Sequence, residues 1–200
     1  LKEGPYLFER KGIYYMTYPH VADKIERLEY AMSNNPLGPF KYAGVLMDES
    51  ASGCWTNHQS IIEFKNQWYL FYHNDDLSPN FDKNRSVRAD SIFFNEDGTI
   101  RKVTPTFRGV GITGAKKQIE IDRFSAKSPG GTEIAFLDTL HKFRGWKTIL
   151  RKAGSWIKYN SVSFGTSKLK YVNINARSAT GGNLLLKIEG APNQVIAKMN

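Results

Sequence analysis

YLFERKGIYYMTY (residues 6–18) and SIIEFKNQWYLFY (residues 60–72) repeat one pattern at an offset of 54 residues. At that offset Gly12 meets Asn66, Tyr15 meets Tyr69 and Tyr18 meets Tyr72. Each stretch reads as strand, tight turn at Lys-Gly or Lys-Asn, then a second strand rich in aromatic and apolar residues, the composition that suits a pleated surface. A second hairpin follows each. After the first come LEYAMSNN, a turn at Pro36-Leu37-Gly38-Pro39, and FKYAGVLM; after the second come SVRADSIFF, a turn at Asn95-Glu96-Asp97-Gly98, and TIRKVTPT. Asp-Gly between apolar runs is a strong hairpin signal. Each unit of about 50 residues thus carries four strands, the size and content of a propeller blade. Periodicity alone would also allow a helix over residues 22–32 (Ile25, Leu28, Met32); the repeat favours loop plus strand.

Propellers close with about four to eight blades, and two alone leave apolar faces and strand edges uncovered. The first half therefore reads as the tail of a larger propeller, with a segment expected ahead of Leu1. RGVGITGAKK (108–117), rich in Gly and Lys, reads as a linker. Beyond it QIEIDRFSA, GSWIKYNSVSFG, KLKYVNINARS, NLLLKIEG and QVIAKM give short strands separated by Gly, Ser and Asn turns, a β-sandwich signature. The expectation is an all-β chain, with propeller blades over 1–108, a linker over 109–117 and an incomplete sandwich over 118–200.

Composition supports a folded chain: 40% of the 200 residues are hydrophobic and 13% aromatic, enough for a core. No apolar run approaches the roughly 20 residues of a membrane helix, and no membrane partner is expected. Cys54 is the only cysteine, which excludes an intramolecular disulfide and a multi-cysteine metal site. Charge divides unevenly, with a net −4 over residues 1–100 and +13 over residues 101–200. That shift supports two domains. It also raises a nucleic-acid reading, but the cations are spread along the strands and no aromatics interleave with them as a stacking platform requires. No nucleic-acid partner is expected.

EGPYLF, YAMS, PLGPFKYAGVLM, WTNHQSIIEFKNQWYLFYH, NRSVRAD and FFNEDGTI together resemble the last two blades of glycoside hydrolase family 43, over residues 1–108. The resemblance implies a five-bladed propeller acting on xylosides, arabinosides and arabinan. QIEIDRFSA, GSWIKYNSVSFG and ARSATGGNLLLKIEG are similar to carbohydrate-binding module family 6, a jelly-roll-like β-sandwich often appended to such enzymes; that family's last strands lie outside this match. A secreted or periplasmic setting follows from the same resemblance.

By that resemblance Glu3, in Glu3-Gly4-Pro5, is the general acid that protonates the leaving oxygen; on those three residues alone it would read as a solvated acid near a terminus. A strand end at a propeller's central cavity can hold a carboxyl rigidly beside the scissile bond. An inverting glycosidase also needs a base roughly 6.5–9.5 Å away, with room for water. The family places that base, and an Asp that tunes the acid, in earlier blades. Asp75, Asp76, Asp82 and Asp90 match neither motif, so this stretch by itself is expected to be inactive. His58, in Trp55-Thr56-Asn57-His58, matches a family His on the central axis that holds a water-coordinated Ca²⁺ or meets the substrate; the other reading is a core histidine, as for His73. Arg85 matches an Arg that reaches the active site, where a planar guanidinium can serve hydroxyls and a carboxylate together. Arg88, three residues on, faces the opposite side of an extended strand. Trp55 stands between stacking on a sugar and packing between blades, and the polar loop 74–84 suits a rim around the site.

In the second half Glu120 matches a family calcium ligand and Asp122 lies close to a second acidic position; the alternative is two strand carboxylates in a basic domain. Trp146 matches one aromatic of the family's sugar-binding cleft, where ring faces meet the C–H faces of pyranoses. Trp156 reads as core, and Ser155 stands where that family usually has Asp. The combined reading is part of an inverting β-xylosidase or α-L-arabinofuranosidase, Ca²⁺-assisted, with plant cell-wall polysaccharide (xylan, arabinoxylan or arabinan) as partner. The alternative is a non-catalytic carbohydrate-binding protein, which would follow if earlier blades lack the Asp pair.

Overall fold

The structure, a computed structural model, describes residues 3–76, 85–166, 169–190 and 194–200. Four strands, β1 (Tyr6–Arg10), β2 (Ile13–Val21), β3 (Glu26–Ser33) and β4 (Lys41–Met47), form one antiparallel meander in the order β1-β2-β3-β4. A second meander holds β5 (Gln59–Phe64), β6 (Gln67–Asn74) and β7 (Ser86–Ile92). The chain is all-β; no α-helix occurs among the described residues. The segment with helical periodicity at 22–32 is a bend followed by β3, because its apolar residues have neighbours on β2 and β4 to pair with.

The two first hairpins share more than sequence. Lys11 and Gly12 have φ of 53° and 78°, and Lys65 and Asn66 have φ of 51° and 62°. Positive φ at both central residues of a two-residue loop gives the turn whose twist matches the flanking strands. The register is then fixed, Arg10 opposite Ile13 and Phe64 opposite Gln67. The second unit departs from the expected four strands. After β7 the turn at 95–98 closes only a single bridge, Phe94 to Ile100. The chain then runs back to the first sheet, where Val103 donates its N–H to Leu46 O at 2.8 Å.

That return binds the sheets together. Tyr15, fully buried, donates its hydroxyl to Gly98 O at 2.7 Å, and Tyr30 Oη accepts the Ile100 N–H at 3.0 Å. Phe8 stacks on Tyr15 at 4.7 Å, and Phe8, Tyr15, Trp68 and Phe94 form one aromatic cluster. Leu28, Leu46, Met47, Ile61, Leu70 and Ile92 fill the rest of the contact. Strand alternation sends the other side chains outward. Leu7 is 47% exposed on one outer face; Ile62, Phe64, Phe71, Val87 and Phe93 are exposed on the other.

The second half does not show the expected sandwich among the described residues. Its strands pair only in twos: β8 (Thr113–Gly114) with β13 (Val162–Ser163), β9 (Ala126–Lys127) with β12 (Ile157–Lys158), β10 (Thr132–Phe136) with β11 (Trp146–Leu150), and β14 (Leu184–Lys187) with β15 (Val195–Met199). Among the described residues no second sheet covers these ladders, and Trp156, expected in a core, is 45% exposed. The stretch read as a linker is tied down: Arg108 reaches Gly111 O, Thr113 Oγ1 and Ser161 O. A seam ties the end of the first half back to its second meander, where Tyr72 and Thr106 both donate to Asp90, at 2.7 and 2.6 Å.

Replacing Tyr15 by Phe removes the donor to a buried carbonyl and leaves Gly98 O without it. Stability should fall by about 1–3 kcal/mol, read as a lower denaturant midpoint with unchanged slope. Gly98→Ala should cost at least as much: φ is +85° and an added Cβ would lie 2.9 Å from Ile13 Cδ1.

Candidate functional site

The starts of β1, β3, β5 and β7 and the end of β6 lie at one end of the two meanders, as antiparallel order requires. Glu3 precedes β1, Glu26 opens β3, His58 precedes β5, His73 is near the end of β6 and Arg85 precedes β7. Carboxylate oxygens of Glu3 and Glu26 and an imidazole nitrogen of His58 all lie within 4.8 Å of one another. His58 Nε2 is 3.9 Å from Glu3 Oε1, and both side chains are about half exposed.

Gly4 explains how Glu3 gets there. Its φ is +49°, and a Cβ on it would stand 3.1 Å from the His58 ring. The backbone turns tightly under the imidazole, which only glycine permits without strain. Gln59 anchors the same turn, donating from Nε2 to Gly4 O at 3.3 Å and to Thr17 Oγ1 at 3.1 Å. Tyr6 hydroxyl then donates to Ile61 O at 2.7 Å. The acid-bearing segment of the first sheet is therefore held by the second.

Glu26 was not singled out from sequence. Its side chain is buried, on the same face of β3 as Leu28 and Tyr30, where the core gives way to the site. Its Oε2 accepts the Asn57 N–H at 2.7 Å, while its own N–H donates to Trp55 O at 3.2 Å. This two-way clasp fixes the loop that carries His58. Burial pushes the Glu26 carboxyl above the ordinary carboxylate range; the Asn57 N–H opposes that, and the Glu3 carboxyl adds to it. In IERLEYAM Glu26 shares one strand face with Leu28, Tyr30 and Met32, and a charge on that apolar face is the signal that could have drawn attention to it. Glu29, also buried, differs in its partners: the Arg27 guanidinium at 2.6 Å and the His20 imidazole at 2.9 Å.

The remaining expected residues are distributed as follows. Arg85 is exposed and close enough to His73 to act on its charge. Arg88 is buried on the other face, its guanidinium 4.3 Å over Phe107 and its Nη2 3.7 Å from Asp76. Trp55 is half-buried in the His58 loop. Asp75 accepts from Ser52, and Asp76 accepts from Asn74; with Asp90 in the seam, these acids are engaged structurally. Asp82 and positions 77–84 of the polar loop lie outside the described residues. Cys54 is buried, and burial pushes its thiol up to about 11, which removes it as a nucleophile.

Glu3, Glu26 and His58 are the only group of three among the described residues with the spacing of metal ligands. Two carboxylates suit a hard cation; the imidazole suits it only through water. Glu120 is exposed and accepts from Gln118 at 2.7 Å. Asp122 is buried with Oδ2 3.4 Å from Arg123 Nε and without a hydrogen bond. Trp146 stacks on Phe136 at 4.2 Å across the β10–β11 ladder.

His73 Nε2 accepts the His58 N–H at 3.2 Å, so the proton sits on Nδ1. Burial, with Arg85 and His58 adding, holds this imidazole down at about 4. On unfolding it returns to its ordinary value of 6.5, so the unfolded chain binds the proton first as pH falls. Stability contributed by neutral His73 is complete above pH 6.5 and lost on descending toward pH 4. A melting-temperature profile should fall across that window, and His73→Gln should flatten it.

The description "Glycosyl hydrolases family 43" matches residues 1–100. The chain is 35% identical to a β-xylosidase of Xylanibacter ruminicola over 103 residues, covering 50% of this chain and 30% of that protein. It is 24% identical to an arabinoxylan arabinofuranohydrolase of Paenibacillus polymyxa over 98% of this chain and 34% of that one. A crystal structure of a family 43 enzyme from Xanthomonas citri complexed with xylotriose is 41% identical over 52% of this chain and 30% of its own, with a TM-score of 0.47. The chain thus spans about a third of the length of these relatives. With half its residues matched, including those that bring Glu3, Glu26 and His58 together, the chain belongs to glycosyl hydrolase family 43.

Proposed function

We propose that this chain supplies the general acid and part of the sugar-binding rim of a glycoside hydrolase that cleaves xylosidic or arabinofuranosidic bonds in plant cell-wall polysaccharide with inversion. The observation that carries the reading is the seating of Glu3: a strand-leading carboxyl placed by a left-handed glycine under an imidazole. In the proposed mechanism Glu3 delivers its proton to the glycosidic oxygen as the C–O bond breaks, while a carboxylate on another blade takes a proton from water attacking the opposite face. None of Asp75, Asp76 and Asp90 serves as that base, since each is committed to the hydrogen bonds described above. Arg85 and His58 contact sugar hydroxyls at the same end of the sheets, with Trp55 beside them.

The two exposed apolar faces of the paired sheets support a ring of further blades. The alignment with the arabinoxylan arabinofuranohydrolase, which runs over nearly the whole chain, supports treating residues 118–200 as part of the same type of protein, a carbohydrate-binding sandwich in which Trp146 offers a ring face to sugar. Ca²⁺ fits through water at His58, and separately at Glu120 and Asp122, where the buried Asp122 carboxylate already draws the Arg123 guanidinium. Ca²⁺ binding at either place should raise the melting temperature with increasing metal concentration.

The decisive measurement is hydrolysis of aryl β-xylosides and α-arabinofuranosides by the full-length protein and its Glu3→Gln variant. Loss of a general acid should reduce kcat by about 100-fold or more. An unchanged rate would end the assignment.

A further inference from the structure

We infer that Glu26 is a positioning residue for Glu3, its buried carboxyl bracing the acid's side chain from behind. The inference rests on the assignment of Glu3 as the general acid. Glu26 is 2% exposed, and among the described residues no Lys or Arg forms an ion pair with it. A carboxyl so buried is costly unless its polar atoms are used. One oxygen is used by the Asn57 N–H. The remaining polar neighbours are Glu3 and His58, with ligand atoms inside the 4.8 Å cluster.

Glu3 needs such a brace. Among the described residues its one ion contact, to His58, is 3.9 Å long, and its side chain is about half exposed. The backbone at Gly4 fixes where the side chain starts, not where the carboxyl ends. Glu26 meets it from two strands away in the same sheet, on a strand tied by regular pairing to β2 from Tyr14–Ser33 to Val21–Glu26. The same carboxyl also orders the Asn57-His58 turn, so the acid and its imidazole neighbour take their positions from one buried group. An error of about 1 Å in a reacting group can cost about 100-fold in rate.

Length, rather than charge, is then the property of Glu26 that matters. Glu26→Asp keeps the acid and withdraws it by one methylene; Glu26→Gln keeps the reach and removes the acid. Both are small changes in volume, and melting temperature checks that each folds. The full-length protein is assayed on phenyl and dinitrophenyl β-xylosides. A phenolate leaves poorly and depends on protonation; a dinitrophenolate leaves well without it. Glu3→Gln should lose at least about 100-fold on the phenyl substrate and far less on the dinitrophenyl one. Glu26→Asp should show the same contrast, with kcat on the phenyl substrate down about 100-fold and KM within about twofold. Glu26→Gln should lose less than a tenth as much. Equal losses on both substrates for Glu26→Asp, no loss at all, or a Gln variant worse than the Asp variant would overturn the inference while leaving Glu3 in place. Absence of the contrast in Glu3→Gln itself would instead remove the general-acid assignment.

Discussion

The ring of Tyr15 lies flat on Phe8 within its own sheet, and its hydroxyl is bonded to Gly98, in the turn that follows the neighbouring one. That side chain belongs to both sheets at once, and Tyr30 repeats the arrangement at Ile100. Both contacts hold the segment that returns from β7 toward β4. Apolar burial supplies most of the attraction between the meanders, but it is non-directional. The two phenol hydrogen bonds select the lateral register in which the sheets meet, because a slip would leave buried donors and carbonyls unpaired.

That register decides the site. Glu3 and Glu26 come from the first sheet, His58, His73 and Arg85 from the second, and no single strand carries more than one of them. Gln59 crosses the contact to hold Gly4, and Asn57 crosses it to hold Glu26. The cluster therefore sits where two rigid elements abut rather than on a free loop, a placement that would keep a carboxyl within the narrow tolerance of the proton transfer proposed for Glu3. Core and site are continuous: Leu28 and Tyr30 are packed core, and Glu26, on the same face two residues before Leu28, is already site.

What was legible in the sequence was what local rules control. The equivalence of Lys11-Gly12 and Lys65-Asn66 predicted two identical hairpins, because turn conformation is set by a few adjacent residues. The four-strand unit was half legible: Asp97-Gly98 is indeed a tight turn, but Tyr15 and Tyr30 draw the following residues to the first sheet, a competition no local rule contains. Glu3 could be singled out only with its flanking motifs. Glu26 was missed for a different reason. Its partner Asn57 is 31 residues away, and the apolar spacing in IERLEYAM also allows a helix. The sandwich pattern of the second half was legible as alternation, yet alternation does not say which strands pair. Over the described residues the ladders stay separate, and Trp156 has nothing to cover it.

The repeat carries a further consequence in its phase. Tyr15 and Tyr69 occupy the same place in their units, yet Tyr15 is fully buried and Tyr69 only half so. Leu7 and Ile61 also correspond, and there the order reverses: Ile61 is buried and Leu7 exposed. Each unit thus has one face made to meet a preceding sheet and another made to meet a following one. The first sheet uses its forward face here, and the second its backward face. Side chains such as Ile62, Phe71 and Val87 then occupy, on the second sheet, the role that Tyr15 and Ile13 play on the first. Exposed alone they form a broad apolar surface of the kind that marks an interaction site. His73 and Arg85 lie at the site end of that same face, so a sheet seated there would also wall the side of the site opposite Glu26. Covering the apolar face and enclosing Glu3 would in this geometry be one event, which makes a ring of such units a physical route from strand packing to a water-excluding site.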